Sequence, residues 1–121
     1  MPVRSLRSSV LKWPDRRTVD QSARRWAEAL RERHPEVLRV GYFGSYARGD
    51  WGVGSDLDLV VLVKASDLPF HRRSTVFPSE NLPVPAEVLV YTAKEWQSRE
   101  EPRFLKTIEK EVVWILEDAQ P

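Results

Sequence analysis

The chain has 121 residues, 41% of them hydrophobic and 31% charged, with a formal net charge of +1, which suits one globular domain with a modest core and disfavours a second independent domain. Cysteine is absent, which excludes disulfides, thiolate zinc sites and thiol nucleophiles, so any metal must be held by oxygen ligands or by the two histidines, and a hard cation such as Mg²⁺ is favoured. No window approaches the ~18 uninterrupted apolar residues of a spanning helix, and Met1 to Lys12 lacks the apolar core of a secretory signal, so a soluble, cytoplasmic protein without membrane contact is expected. Positive charge predominates before Val40 and negative charge after Leu82, but the net balance implies no polyanionic partner.

Met1 to Lys12 shows no sustained period and runs into Trp13-Pro14, where the residue before proline disfavours helix. Residues 1–14 therefore read as a loosely held arm and residues 15–121 as a single domain. Asp15 can cap a helix in which Val19, Ala23, Trp26, Ala27 and Leu30 recur at three-to-four spacing until His34-Pro35 stops the pattern. Arg16, Arg17, Arg24, Arg25, Arg31 and Arg33 fall largely on its other face. Such a face can attract RNA or an acidic partner, but a helix with one charged face is usually just solvated, and nucleic-acid binding stays open.

Val37 to Phe43 is β-branched and aromatic and leads into Gly44-Ser45, so it reads as a strand ending in a tight turn, with Ser45 capping a short helical turn. Gly49, Gly52 and Gly54 break that turn into a loop, after which Leu57 to Val63 is an apolar strand of the kind buried on both faces. From Ser66 to Pro85 the prolines and mixed polarity suggest a short helix near Leu68 to Ser74 and then a surface loop. Ala86 to Tyr91 reads as a strand, Thr92 as the cap of a helix through Trp96, Phe104, Leu105 and Ile108 as one side of another helix, and Val112 to Leu116 as a final strand. The fold class is α/β (α+β): a small mixed β-sheet with helices packed against it.

Chemistry concentrates between Gly44 and Asp58. Residues two apart on a strand share a face, so Asp56 and Asp58 project side by side, followed on that face by Val60 and Leu62. Two like charges about 6 to 7 Å apart beside apolar surface repel and lose hydration, and a divalent cation between them reverses that cost. Gly44 lets backbone N–H groups approach a phosphate, a helix from Ser45 would aim its first amides at the same anion, and the Ser45 hydroxyl adds a hydrogen bond. Carboxylates that hold Mg²⁺ beside a phosphate cradle are the working parts of phosphoryl or nucleotidyl transfer.

Gly44-Ser45, the spacer from Tyr46 to Ser55, and Asp56-Leu57-Asp58 opening a hydrophobic strand together resemble the DNA polymerase β nucleotidyltransferase superfamily. Within it, Gly44-Ser45-Tyr46-Ala47-Arg48-Gly49-Asp50 and Gly54-Ser55-Asp56-Leu57-Asp58-Leu59 resemble the minimal nucleotidyltransferases of bacteria and archaea, with the match running from about Val37 to Trp96. The resemblance implies a polymerase β-like fold and Mg²⁺-dependent transfer of a nucleoside monophosphate, AMP from ATP, to a hydroxyl acceptor. It implies that Gly44 and Ser45 hold the triphosphate and that Asp56, Asp58 and a third carboxylate on the neighbouring strand hold two Mg²⁺ ions. Glu87 is the candidate for that third catalytic acid, one methylene longer than the usual Asp. Arg48, about one helical turn past Ser45, reads equally as a phosphate contact, a brace for the carboxylates or an exposed helix arginine.

The resemblance also implies pairing with a HEPN-domain protein, some relatives adenylylating that partner. The alternative function is an antitoxin or regulatory module that acts by contact without essential catalysis. A glycosyltransferase using Asp-x-Asp fails on chain length. Tyr46 and Tyr91 read as packing beside the sheet more readily than as base-stacking platforms, Trp51 as exposed at the site or at an interface, and His34 and His71 have no metal-ligand spacing.

Overall fold

The computed structural model describes residues 13–98 and 102–117, so that most of the expected arm, residues 1–12, lies outside the described residues. Helix α1 (Arg16–Arg33) begins where Asp15, in extended backbone, accepts the Thr18 N–H at 2.8 Å, and it ends at His34, whose N–H reaches the Leu30 carbonyl. Pro35 stops it there by disfavouring helical backbone at His34. Val19, Ala23, Ala27 and Leu30 form its buried stripe. Several arginines of the opposite side are used internally: Arg24 bonds Asp20, Arg31 the Val37 and Leu38 carbonyls, and Arg16 the Tyr46 carbonyl.

Strands β1 (Val37–Phe43), β2 (Leu57–Val63), β3 (Ala86–Thr92) and β4 (Val113–Leu116) form one sheet in the order β3-β2-β1-β4. β1 runs antiparallel to both its neighbours, and β2 and β3 run parallel. The expected mixed sheet is therefore present. A short helix α2 (Ser45–Arg48) follows β1, α3 (Ala93–Ser98) follows β3, and α4 (Pro102–Glu111) precedes β4.

The two faces of β2 serve two core layers, as its alternation requires. Leu57, Leu59, Val61 and Val63 pack with Val88, Val90 and the stripe of α1. On the other face Val60 and Leu62 pack with Phe43, Tyr91, Trp96, Leu105 and Ile108, so α3 and α4 cover it. Asp58 belongs to that second face and stands at its open end.

The helix expected near Leu68 to Ser74 is a 3-10 helix, Phe70–Val76, displaced because Pro69 occupies its cap. Its Arg73 is only 8% exposed and gives hydrogen bonds to the Leu68 and Val90 carbonyls and to both carboxylate oxygens of Glu95, at 2.6 and 3.0 Å. This clamps the β2–β3 crossover onto the outer edge of β3. Thr92 caps α3 as expected, and Glu95 completes a capping box: Thr92 Oγ1 accepts the Glu95 N–H while Glu95 accepts the Thr92 N–H. No helix among the described residues is long and apolar enough to cross a membrane.

Candidate active site

β1 ends at Phe43 because Gly44 takes φ 78°, ψ −151°, a conformation essentially restricted to glycine. The turn brings Gly44 against the start of β2, where Phe43 and Asp58 are register partners. A Cβ on Gly44 would overlap Asp58 Oδ2 and lie 3.2 Å from Asp58 Cγ. The glycine thus admits a carboxylate at that position, and the Gly-Ser turn and the acid pair are two sides of one contact.

Gly44, not Ser45, is the cap of α2, and it provides no side-chain hydrogen bond. The Gly44 carbonyl accepts the N–H groups of Ala47 and Arg48, which makes Ser45 the first helical residue. The expectation that Ser45 caps the turn is corrected by that register. Its hydroxyl has no hydrogen bond among the described residues, and neither do the Ser45 and Tyr46 amides.

Asp56 precedes β2 and is exposed, while Asp58 is half-buried. In the parallel β2–β3 ladder Asp58 is paired with Glu87, so Glu87 emerges on the same face. Asp56 and Glu87 line an open cavity of about 950 Å³ together with Phe70, Thr75 and Glu80, and its lining includes neither Asp58 nor the Gly44 turn. Burial pushes the Asp58 carboxyl above the ordinary Asp value, and the charges of Glu87 and Asp56 push it further, against the opposing pull of Arg48. The field at Asp58 is that of a carboxylate among carboxylates, which a cation would relieve.

Among the described residues no group of three His, Cys, Asp or Glu side chains stands close enough to hold a metal ion. Asp58 and Glu87 share a register position and, with Asp56, a field, without standing as a ligand cluster. Oxygen donors of this kind suit Mg²⁺, and exposed Asp56 and Glu87 have no hydrogen-bond partner among the described residues that would hold them back.

Arg48 is half-exposed and pairs with Asp50 at 3.1 Å and with Glu111 at 3.3 Å. Glu111, from the last residue of α4, also accepts the Gly44 N–H at 2.9 Å. Nothing local in the sequence marks Glu111, which is 67 residues from Gly44 along the chain. Tyr46 is 1% exposed, its hydroxyl accepts the Trp13 indole N–H, and its ring stacks on Trp51 at 5.4 Å. Tyr91 is likewise buried, between Phe70 and Trp96. Both tyrosines are packing residues, and Trp51 lies against the core through that stack instead of standing exposed. His34 packs edge-on against Phe77, and His71 lies on the cavity wall.

Residues 23–115 match the model of the nucleotidyltransferase domain family. The crystal structure of a protein from Sulfolobus solfataricus designated a nucleotidyltransferase superposes with a TM-score of 0.59 at 20% identity, covering 82% of this chain and 80% of that one. A toxin–antitoxin crystal structure with AMP-PNP gives a TM-score of 0.52 at 14% identity, covering 80% and 75% respectively. At these identities the likeness is one of fold. No curated protein matches the sequence.

Proposed function

The chain belongs to the nucleotidyltransferase domain family, and on that premise we propose that it transfers a nucleoside monophosphate, AMP from ATP, to a hydroxyl acceptor. The observation that carries this reading is the seating of Asp58 against Gly44, which joins the glycine turn and the first amides of α2 to a carboxylate of the acid pair. Mg²⁺, when bound, would neutralise the triphosphate and polarise its α-phosphate. Asp56 and Asp58 would hold the cation, and Glu87, on the paired strand, completes the set and accepts the proton of the attacking hydroxyl, whose oxygen bonds the α-phosphorus as the bond from that phosphorus to the bridging oxygen breaks and pyrophosphate leaves. The Ser45 hydroxyl and the Ser45 and Tyr46 amides bind phosphate oxygens, and Arg48 adds a positive charge. The toxin–antitoxin neighbour supports a partner protein as the bearer of the acceptor, of the HEPN class that the sequence resemblance implies.

Incubation with Mg²⁺ and ATP labelled at the α-phosphate, with and without a HEPN-domain protein from the same source, tests the activity. Label should pass to the acceptor with wild-type protein and not with Asp58→Asn. Equal labelling by both proteins would refute the assignment.

The toxin–antitoxin neighbour supports a second reading, an antitoxin that keeps the fold and acts by contact alone. In that case Asp58→Asn neutralises the partner toxin as well as wild type does.

A further inference from the structure

Glu111 lies at the junction of α4 and β4, and its side chain is 19% exposed. Its Oε1 accepts the Gly44 N–H at 2.9 Å and the Arg48 Nη1–H at 3.3 Å, and Oε2 lies 3.4 Å from the same nitrogen. One carboxylate therefore ties the turn beside Asp58 to the arginine that follows it. Asp50 takes the Arg48 Nε–H at 3.1 Å. With Nε and Nη1 engaged, Nη2 is left without a hydrogen bond among the described residues. That edge of the guanidinium belongs to a group whose charge already acts on Asp58.

We propose that Glu111 is a positioning residue of the nucleotide site, holding the Gly44 turn and presenting Arg48, through its Nη2 edge, to the triphosphate. The inference rests on the nucleotidyltransferase reading above. Arg48 is exposed and carries a long, rotamer-rich side chain, so without a fixed partner it would have to be ordered when the nucleotide binds, which weakens affinity. Glu111 does that ordering beforehand from a helix end anchored by buried Leu105 and Ile108. Charge alone argues the other way, because removing an acid near an anion site should tighten anion binding. The Glu111 carboxylate, however, is met by a guanidinium and a backbone N–H that offset part of its charge, although that charge, like the Arg48 charge, acts on Asp58. Loss of preorganisation outweighs loss of repulsion.

Glu111→Gln separates the two roles, since its amide oxygen can still accept the Gly44 N–H while the ionic hold on Arg48 is gone. Affinity for the non-hydrolysable analogue AMP-PNP with Mg²⁺ is measured by calorimetry in wild type, Glu111→Gln, Arg48→Ala and the double variant, alongside the melting temperature of each free protein. Glu111→Gln should bind about two- to tenfold more weakly, the effect of ordering one long side chain. In the Arg48→Ala background the same substitution should change affinity little, because the group it positions is gone.

An equal loss in both backgrounds, tracking a lower melting temperature, would make Glu111 structural only and overturn the proposal. Unchanged or tighter binding by Glu111→Gln would also overturn it and mark the carboxylate as a competitor of the phosphate. If wild-type protein does not bind the Mg²⁺–nucleotide at all, the nucleotidyltransferase reading fails first, and the role of Glu111 falls with it.

Discussion

Replacing Gly44 by alanine tests whether the turn exists to admit Asp58. A non-glycine residue at φ 78°, ψ −151° costs about 1–3 kcal/mol in backbone strain. The new Cβ would also overlap Asp58 Oδ2, and turning that carboxylate off its rotamer adds about 0.5–1.5 kcal/mol. Gly49 is the control: it too has positive φ, 90°, but a Cβ there meets nothing within 4 Å, so Gly49→Ala should cost only the ~1–2 kcal/mol of a left-handed residue. Asp58→Ala leaves its own Cβ 3.5 Å from a Cβ at position 44, an ordinary contact, so it should restore the part of the Gly44→Ala loss that comes from overlap. Urea unfolding at constant slope reads these differences, and the double variant should be more stable than the sum of the singles allows. A Gly44→Ala loss no larger than that of Gly49→Ala, or strict additivity with Asp58→Ala, would refute the contact as the reason for the glycine.

Asp58→Asn should leave the free protein at least as stable as wild type at neutral pH, because burial, Glu87 and Asp56 all oppose its ionised form; thermal melting without metal checks this, and a marked loss would mean that the carboxylate supports the fold. Tyr42 is 1% exposed and donates to Asp20 at 2.7 Å, and burial followed by that bond raises its phenol from 10.0 to about 12. Its contribution to stability is whole below the unfolded value and is lost as pH rises through the folded one, so wild type should lose between pH 10 and about 12 a stability increment that Tyr42→Phe never has. Glu95→Gln weakens the partner of buried Arg73, and with Glu95 itself 27% exposed the cost should be about 2–4 kcal/mol, below the upper range for a fully buried pair. The Arg73 hydrogen bonds hold the Glu95 carboxyl below its ordinary value, so that stabilisation is present above the unfolded carboxylate range and declines as pH falls through the lowered one; a flat acid profile in wild type would contradict it.

The parts of the fold that were legible are those with local causes. β1 and β2 match their expected bounds because β-branched and aromatic runs end at glycines or a charged residue, and α1 is bounded by an Asp cap and a proline. The pairing of Asp58 with Glu87 follows from the parallel β2–β3 register, which was not readable, whereas the alternation along β2 was. Ser45 looked like a cap because serine prefers that role, but Gly44 alone tolerates the required backbone, so the cap lies one residue earlier. Glu111 and the Arg73–Glu95 pair are products of tertiary closure: β4 returns beside β1, and the crossover folds onto the β3 edge. Tyr46 and Trp51 are withdrawn from the site by a ring stack that no spacing rule encodes.

The most direct measurement is the melting temperature of the full chain with Mg²⁺ and ATP, each alone and both together, in wild type, Asp56→Asn and Asp58→Asn. Ligand at about 100 times its dissociation constant adds ~2.7 kcal/mol, a rise of several degrees for a domain of this size. Wild type should show that rise only with both ligands present, since cation and triphosphate each neutralise the other beside Asp58, and the Asp variants should lose the Mg²⁺-dependent part. Equal shifts in all three proteins would show that the triphosphate binds elsewhere and would contradict the assignment of the site.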